Sequence, residues 1–221
     1  MIIVNMGAAI SHWLGFQEKI GRSFMMNEDA LKYPLSDYLV NEGNIDIKAV
    51  NLERPHPNFS SRRVDLTILD TVTQQPDNLF ELKLATSYTR EKKENQRIFN
   101  DIIRLYFASL VANEKCYFII TGKSANFQRD FQDFPSNVNG FYKKWFSFTK
   151  GQTLTFNVAT ETDPIYLGIY QTFQTKYGTN YQGTGTTILN LPNTITTKCE
   201  FVTAAYKKQS VPYMTGIWSI T

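Results

Sequence analysis

The chain has 221 residues, 42% hydrophobic and 19% charged, with a formal net charge of +3. This composition supports a folded core and excludes an extended disordered chain, and the slight basic excess permits a nucleic-acid partner without requiring one. Only two histidines (His12, His56) and two cysteines (Cys116, Cys199) occur, which excludes a His- or Cys-built zinc site and a disulfide framework; a bound metal must then be held by oxygen, favouring Mg²⁺ or Mn²⁺.

The opening stretch, MIIVNMGAAISHWLGF, is apolar but has no basic leader and is too short to span a bilayer. A cytoplasmic protein with no membrane partner is the default expectation. From residue 16 to about 42 the period is helical: Phe16, Ile20 and Phe24 recur every four residues, as do Leu31, Leu35 and Leu39. Asn27 before Glu28 and Asp29 has the form of a helix cap followed by first-turn acids, and Pro34 predicts a kink or restart. Residues 45–53 and 63–70 alternate apolar and polar, as half-buried strands do; a polar hairpin over 71–78 leads to a third strand at 79–85. The period returns to helical from about Thr89 to Ala112, and the apolar run 116–121 predicts a strand buried on both faces. Residues 123–150 read as loop and irregular helix. Beyond 150 the chain is rich in Thr, Tyr, Gln and Asn, with strand-like pieces at 152–158, 165–170, 197–206 and 213–220.

The chemistry concentrates in the triplet Glu81-Leu82-Lys83. Strand side chains alternate, so Glu81 and Lys83 share one face while Phe80, Leu82 and Leu84 share the other. On the preceding strand Val64, Leu66 and Ile68 take one face and Asp65 the opposite one. A hairpin would bring Asp65 beside Glu81, and two adjacent carboxylates repel unless a proton or a divalent cation lies between them. A lysine arriving at the same spot can orient or help deprotonate a water. An ExK triplet alone is a weak signal, since solvated strands carry such charges routinely; its apolar surroundings and the nearby Asp raise it.

The run Val64-Asp65, then Glu81-Leu82-Lys83, then an amphipathic helix and a strand resembles the core of the PD-(D/E)xK nuclease superfamily over residues 16–122. Val64 stands where the family motif has proline. The resemblance implies an α/β fold: a restriction-endonuclease-like core (αβββαβ, a mixed central sheet flanked by helices) over residues 1–122. A β-rich C-terminal extension over 123–221 then packs on that core or extends its sheet. It further implies Mg²⁺ bound by Asp65, Glu81 and the main-chain carbonyl of Leu82, with Mn²⁺ as substitute, and Lys83 assisting the attacking water. A glutamate from the first helix completes many such sites; Glu28 is the choice here, with Glu18 and Glu53 as rivals.

The implied activity is hydrolysis of phosphodiesters in nucleic acid, DNA before RNA, in a restriction or phage-defence setting. A catalytically silent nuclease fold acting as a binding module is the alternative, and a homodimer stays open. Arg62, Arg63, Arg90, Lys92, Lys93 and Arg97 are the candidate phosphate contacts. For the last four, interleaved with Glu91 and Glu94, a solvated helix face is an equal expectation. Gln96 is a rim residue, Asp101 and Arg104 read as a surface ion pair on the helix, and Trp145 and Trp218 read as packing residues before base-stacking ones.

Overall fold

The computed structural model describes residues 2–59, 61–110, 115–133, 141–162, 164–177, 191–203 and 212–221. The first helix, α1 (Ile2–Lys19), starts much earlier than residue 16. Met6, Ile10 and Leu14, four residues apart, are fully buried and dock it on the sheet, so the opening apolar stretch is core. Among the described residues no helix is long and apolar enough to cross a membrane. A short 3₁₀ turn (Asp29–Leu31) precedes α2 (Lys32–Asn41), and Asn27 Oδ1 accepts the Ala30 N–H at 2.8 Å, as a cap does. Pro34 falls in the first turn of α2, where its missing N–H leaves no helical bond unmade.

Strands β1 (Val50–Pro55), β2 (Arg63–Leu69) and β3 (Pro76–Ala85) form an antiparallel meander. Helix α3 (Lys92–Ser109) then crosses to β4 (Lys115–Lys123), which pairs parallel with β3. A short α4 (Ser124–Asn126) runs into a π-helical turn over Phe127–Gln132. Next come β5 (Thr153–Asn157), α5 (Pro164–Tyr177), β6 (Thr194–Val202) and β7 (Tyr213–Ile220). The result is one seven-stranded mixed sheet, β1-β2-β3-β4-β7-β6-β5, flanked by helices.

The piece 165–170, expected as a strand, lies in α5. Tyr166, Ile169, Phe173 and Tyr177 are buried at spacings of three and four, and Pro164 occupies the helix's first position. The first strand begins at Val50, because a 3₁₀ turn capped by Asp46 takes residues 47–49. Residues 111–112 and 204–206 of the expected helix and strand lie outside the described residues.

Two apolar layers cover the sheet. On one face α1 and α2 pack Leu14, Leu35 and Leu39 with Leu66, Phe80, Leu82 and Ile119. On the other, α3 and α5 pack Phe99, Ile102 and Phe173 with Leu79, Phe118, Ile120 and Trp218. Each fully buried Leu, Ile or Phe contributes roughly 1.5–3 kcal/mol, enough to fix which face of each strand points where. Val64 joins the α3-side layer instead of staying with Leu66 and Ile68. By that residue β2 has left the β3 ladder, so alternation no longer refers to one sheet plane.

Candidate active site

The site forms where β2 and β3 separate. The β1–β2 register brackets Glu53 opposite Asp65, Asp65 and Glu81 are the residues just past the last β2–β3 rung, Leu66↔Phe80, and all three line one cavity. Three carboxylates therefore occupy one cross-strand row. The β2–β3 ladder ends at Leu66↔Phe80, and the N–H of Leu82 donates to Asp65 Oδ2 at 2.8 Å. A strand residue turns its N–H and C=O to the same side, so the Leu82 carbonyl faces the gap that Asp65 borders.

Glu81 and Lys83 lie on the α3 side of the sheet, buried at 3% and 8% exposure. Opposite them α3 contributes Asp101 and Arg104, themselves 5% and 7% exposed. Lys83 Nζ donates to Glu28 Oε1 at 2.8 Å and lies 3.1 Å from Asp101 Oδ2, in ionic contact but off the hydrogen-bond direction. Arg104 Nη2 pairs with Asp101 and reaches Glu81 Oε1 at 3.4 Å. A second lysine, Lys32 of α2, pairs with Glu53, with Asp29 at 2.8 Å and with Asp65 at 3.5 Å.

The electrostatics follow from this crowding. Burial raises the Glu81 carboxyl well above its ordinary range, and the Asp101 charge adds to it. Asp65 is also raised by burial, against the Leu82 N–H and Lys83, which favour its charged form. Glu28 is raised by burial too, with Lys83 opposing. Burial would strip the proton from Lys83, but the charges of Asp101 and Glu28 reverse the sign and hold the ammonium above its ordinary pKa. For Asp101 burial is likewise overridden, here by Lys83 and Arg104, and its carboxyl is lowered.

A cavity of about 330 Å³ opens here, lined by Glu28, Glu53, Ser61, Arg62, Arg63, Asp65, Glu81, Lys83, Asp101 and Arg104. Asp65, Glu81, Lys83 and Glu28 thus meet in one place. Of the rival acids Glu53 is also in the lining, while Glu18 pairs with Lys123 at 2.5 Å away from it. Among the candidate phosphate contacts only Arg62 and Arg63 reach the cavity. Arg90 and Lys93 are exposed on the α3 side, Arg97 pairs with Glu94 at 3.1 Å, and the Lys92 side chain lies outside the described part. Gln96 is half-buried and does not line the cavity either.

Asp101 and Arg104 are not a surface pair. Asp101 follows Ile98 by three residues and precedes Leu105 by four, and all three are buried, so this face of α3 points inward. That stripe was the available signal. Lys32 carries none, being one charge beside a helix start. Trp145 and Trp218 are core residues at 2% and 0% exposure, and the Trp218 indole donates to Ser147 O at 2.8 Å.

Behind Arg104 the neutral His56 ring pins the loop before β2 to α3. Its Nδ1 accepts the Asn58 N–H at 3.1 Å, which leaves Nε2–H to donate to Arg104 O at 3.1 Å. Burial, helped by the Arg104 charge, lowers its pKa to about 3.

Among the described residues no three His, Cys, Asp or Glu side chains form a ready-made metal cage. The available donors are two carboxylates and one carbonyl, all hard oxygens. That set suits a cation such as Mg²⁺, which keeps several of its waters. No family model, curated protein or solved structure matches this chain.

Proposed function

We propose that the protein is a metal-dependent phosphodiesterase acting on nucleic acid, DNA in the first instance. On this reading the helix-flanked β1–β4 unit is a restriction-endonuclease-like core of the PD-(D/E)xK kind. The order α, βββ, α, β, with only β3 and β4 parallel, supports that assignment.

One observation carries the functional reading. Arg62 Nε and Arg104 Nε are buried with no acceptor among the described residues, and both residues line the cavity that holds the Asp65–Glu81 pair. A buried donor left unmade costs about 1–3 kcal/mol, so such groups call for an anionic ligand. Carboxylates that burial raises toward their neutral form, beside guanidinium Nε–H groups short of an acceptor, suit a cation and a phosphate together.

Asp65, Glu81 and the Leu82 carbonyl would hold the Mg²⁺ or Mn²⁺. When bound, the ion supplies Lewis acidity and a water of lowered pKa. Glu28 and Asp101 favour the charged form of Lys83, which suits it to orient a water by donating to it. Its ammonium has three donors, one of them bonded to Glu28, and with Asp101 in ionic contact the rest are left to orient a water or steady charge on a phosphate oxygen. Arg104 holds Asp101 and Glu81 in place, while Arg62 and Arg63 grip the backbone of the substrate.

A second reading, a silent nuclease fold that only binds polyanions, draws on a different observation: each cavity carboxylate already has a basic partner. One comparison separates the two. Wild type, Glu81→Gln and Lys83→Met are incubated with supercoiled plasmid, single-stranded DNA and RNA, each with Mg²⁺ or Mn²⁺. Cleavage by the wild type alone supports the enzyme. Inert proteins that still bind DNA mean the silent module, and cleavage surviving both substitutions means another site.

A further inference from the structure

The two lysines of the site differ in what their ammonium groups have left to offer. Lys83 has two carboxylate partners and faces the cavity. Lys32 has three: Asp29 at 2.8 Å, Glu53, and Asp65 Oδ1 at 3.5 Å. Its hydrogen bonds go to Asp29 and Glu53, Asp65 stands in ionic contact, and Lys32 is not among the residues that line the cavity, so its ammonium is committed to carboxylates and turned from a bound phosphate. Its side chain is 8% exposed, and its position in the first turn of α2 is set by Leu31 and Leu35, both buried beside it.

Its partners are telling. Asp65 and Glu53 are neighbours in the cross-strand row, and Glu81 is the next member on the other side of Asp65. Glu53 sits there with a left-handed φ of 54°, a conformation that costs a non-glycine residue about 1–3 kcal/mol unless its surroundings hold it. Arg63 Nη1 donates to the Glu53 carbonyl at 2.8 Å, and Lys32 takes its carboxylate. Two cation positions therefore flank Asp65. One, between Asp65 and Glu81, is bordered by the Leu82 carbonyl. The other, between Asp65 and Glu53, is filled by an amino group of the chain itself.

We propose that Lys32 is a resident cation that limits this site to a single divalent metal ion, standing where a second would otherwise bind between Glu53 and Asp65. The inference rests on the metal-dependent reading above. Lys32 is a positioning residue: it touches neither substrate nor the bound ion, and it acts by occupying the Glu53 side of Asp65, where it holds Oδ1 while the Leu82 N–H holds Oδ2. Glu53 belongs to Lys32 and is not a ligand of the bound ion.

Mn²⁺ titration of the whole chain, followed by calorimetry and by electron paramagnetic resonance, tests this. The wild type is expected to take one Mn²⁺ per chain, lost in Glu81→Gln. Lys32→Met, which keeps the stem and removes the charge, is expected to take a second, weaker Mn²⁺ with the signature of a spin-coupled pair. It should also gain more thermal stability from Mn²⁺ than the wild type does. Lys32→Arg should return to one. Glu53→Gln should leave the wild-type Mn²⁺ affinity within about threefold, whereas loss of an outer partner that tunes a ligand costs tenfold or more.

A wild type that binds two ions, or a Lys32→Met chain that still binds one, overturns the role of Lys32 while leaving the metal-dependent reading intact. A wild type that binds none overturns that reading itself. Should Lys32→Met not fold even with Mn²⁺ present, the wild-type stoichiometry and the Glu53→Gln affinity decide: a loss of about tenfold or more in Glu53→Gln ties Glu53 to the bound ion, as a ligand or as a ligand's partner, and ends the proposal.

Discussion

Asp65 Oδ2 accepts the main-chain N–H of Leu82 at 2.8 Å, and so a side chain occupies the place where strand β2 would have offered a carbonyl. The bond does two things at once. It closes the open end of the β2–β3 ladder, and it fixes one oxygen of Asp65 while Oδ1 faces Lys32.

Asp65→Asn and Asp65→Ala should therefore part company. Asparagine keeps an acceptor for Leu82 N–H, so its unfolding free energy should stay within about 1 kcal/mol of wild type. Alanine leaves that N–H unmet and should cost a further 1–3 kcal/mol or so. Both should lose cleavage. Urea unfolding beside a plasmid assay checks this, and equal stability of the two variants would remove the structural half of the role.

Asp101 is the shared partner of Lys83 and Arg104. Asp101→Ala leaves two buried cations facing each other, which predicts a loss of about 3–5 kcal/mol, typical of one partner taken from a buried pair. Asp101→Asn, which keeps the shape, should fall between. A loss below about 1 kcal/mol in chemical denaturation would show that water reaches this pair freely.

Lys83→Met should lower kcat/KM on DNA by at least about a hundredfold, the usual scale for a group that acts in the transition state. Mn²⁺ affinity should change by no more than a few-fold, since Lys83 is not a ligand. Comparable losses in metal binding and in turnover would mean that Lys83 works by shaping Asp65 and Glu81.

The cavity and the α3 surface make different predictions for binding. Arg62→Ala should weaken DNA affinity and reduce the salt dependence by about one phosphate contact. Arg90→Ala and Lys93→Ala, exposed and away from the cavity lining, should stay within about twofold. Fluorescence anisotropy over a salt series separates them, and equal effects from all three would move the interface onto α3.

His56 predicts the acid limb of stability. Its folded pKa of about 3 lies far below the ordinary 6.5. Below 6.5 the unfolded chain takes up a proton that the folded one refuses, so stability falls as pH drops, by roughly 1.4 kcal/mol per unit until the folded value is reached. Above 6.5 this group contributes no slope. His56→Gln should flatten the curve between pH 6.5 and 4.5 relative to wild type; parallel curves would mean that the ring is solvated.

Much of this was legible before any coordinates. Period-two alternation is enough to set Glu81 and Lys83 on one face, opposite Phe80 and Leu82, and to turn Asp65 toward them, opposite Leu66 and Ile68. Asp101 and Arg104 were not, since an acid and a base three apart on a helix are usually a solvated pair. Only the buried Ile98 and Leu105 on the same stripe mark the difference. Residues 165–170 of α5 have a strand-like composition because Tyr and Ile serve both structures, and the helical period shows only when counted out to Phe173 and Tyr177. The neighbour of β4 was beyond reach: pairing between residues 115–123 and 213–220 is set by long-range packing, which no local pattern encodes.

That last pairing bears on how the protein is made. β4 is paired on one side by β3 but shows its other edge until β7 arrives, and Gly7 of α1 lies so close to the Phe201 ring of β6 that a Cβ would fall 2.2 Å from it. Among the described residues, those that line the cavity lie before residue 105, yet the sheet that positions them is closed by β7, much later in the chain. Such non-local pairing is slow and leaves a bare strand edge exposed meanwhile. During synthesis the chain thus carries every cavity residue well before it can hold them rigid, so a ribosome-stalled fragment ending before residue 213 should expose β4 to aggregation.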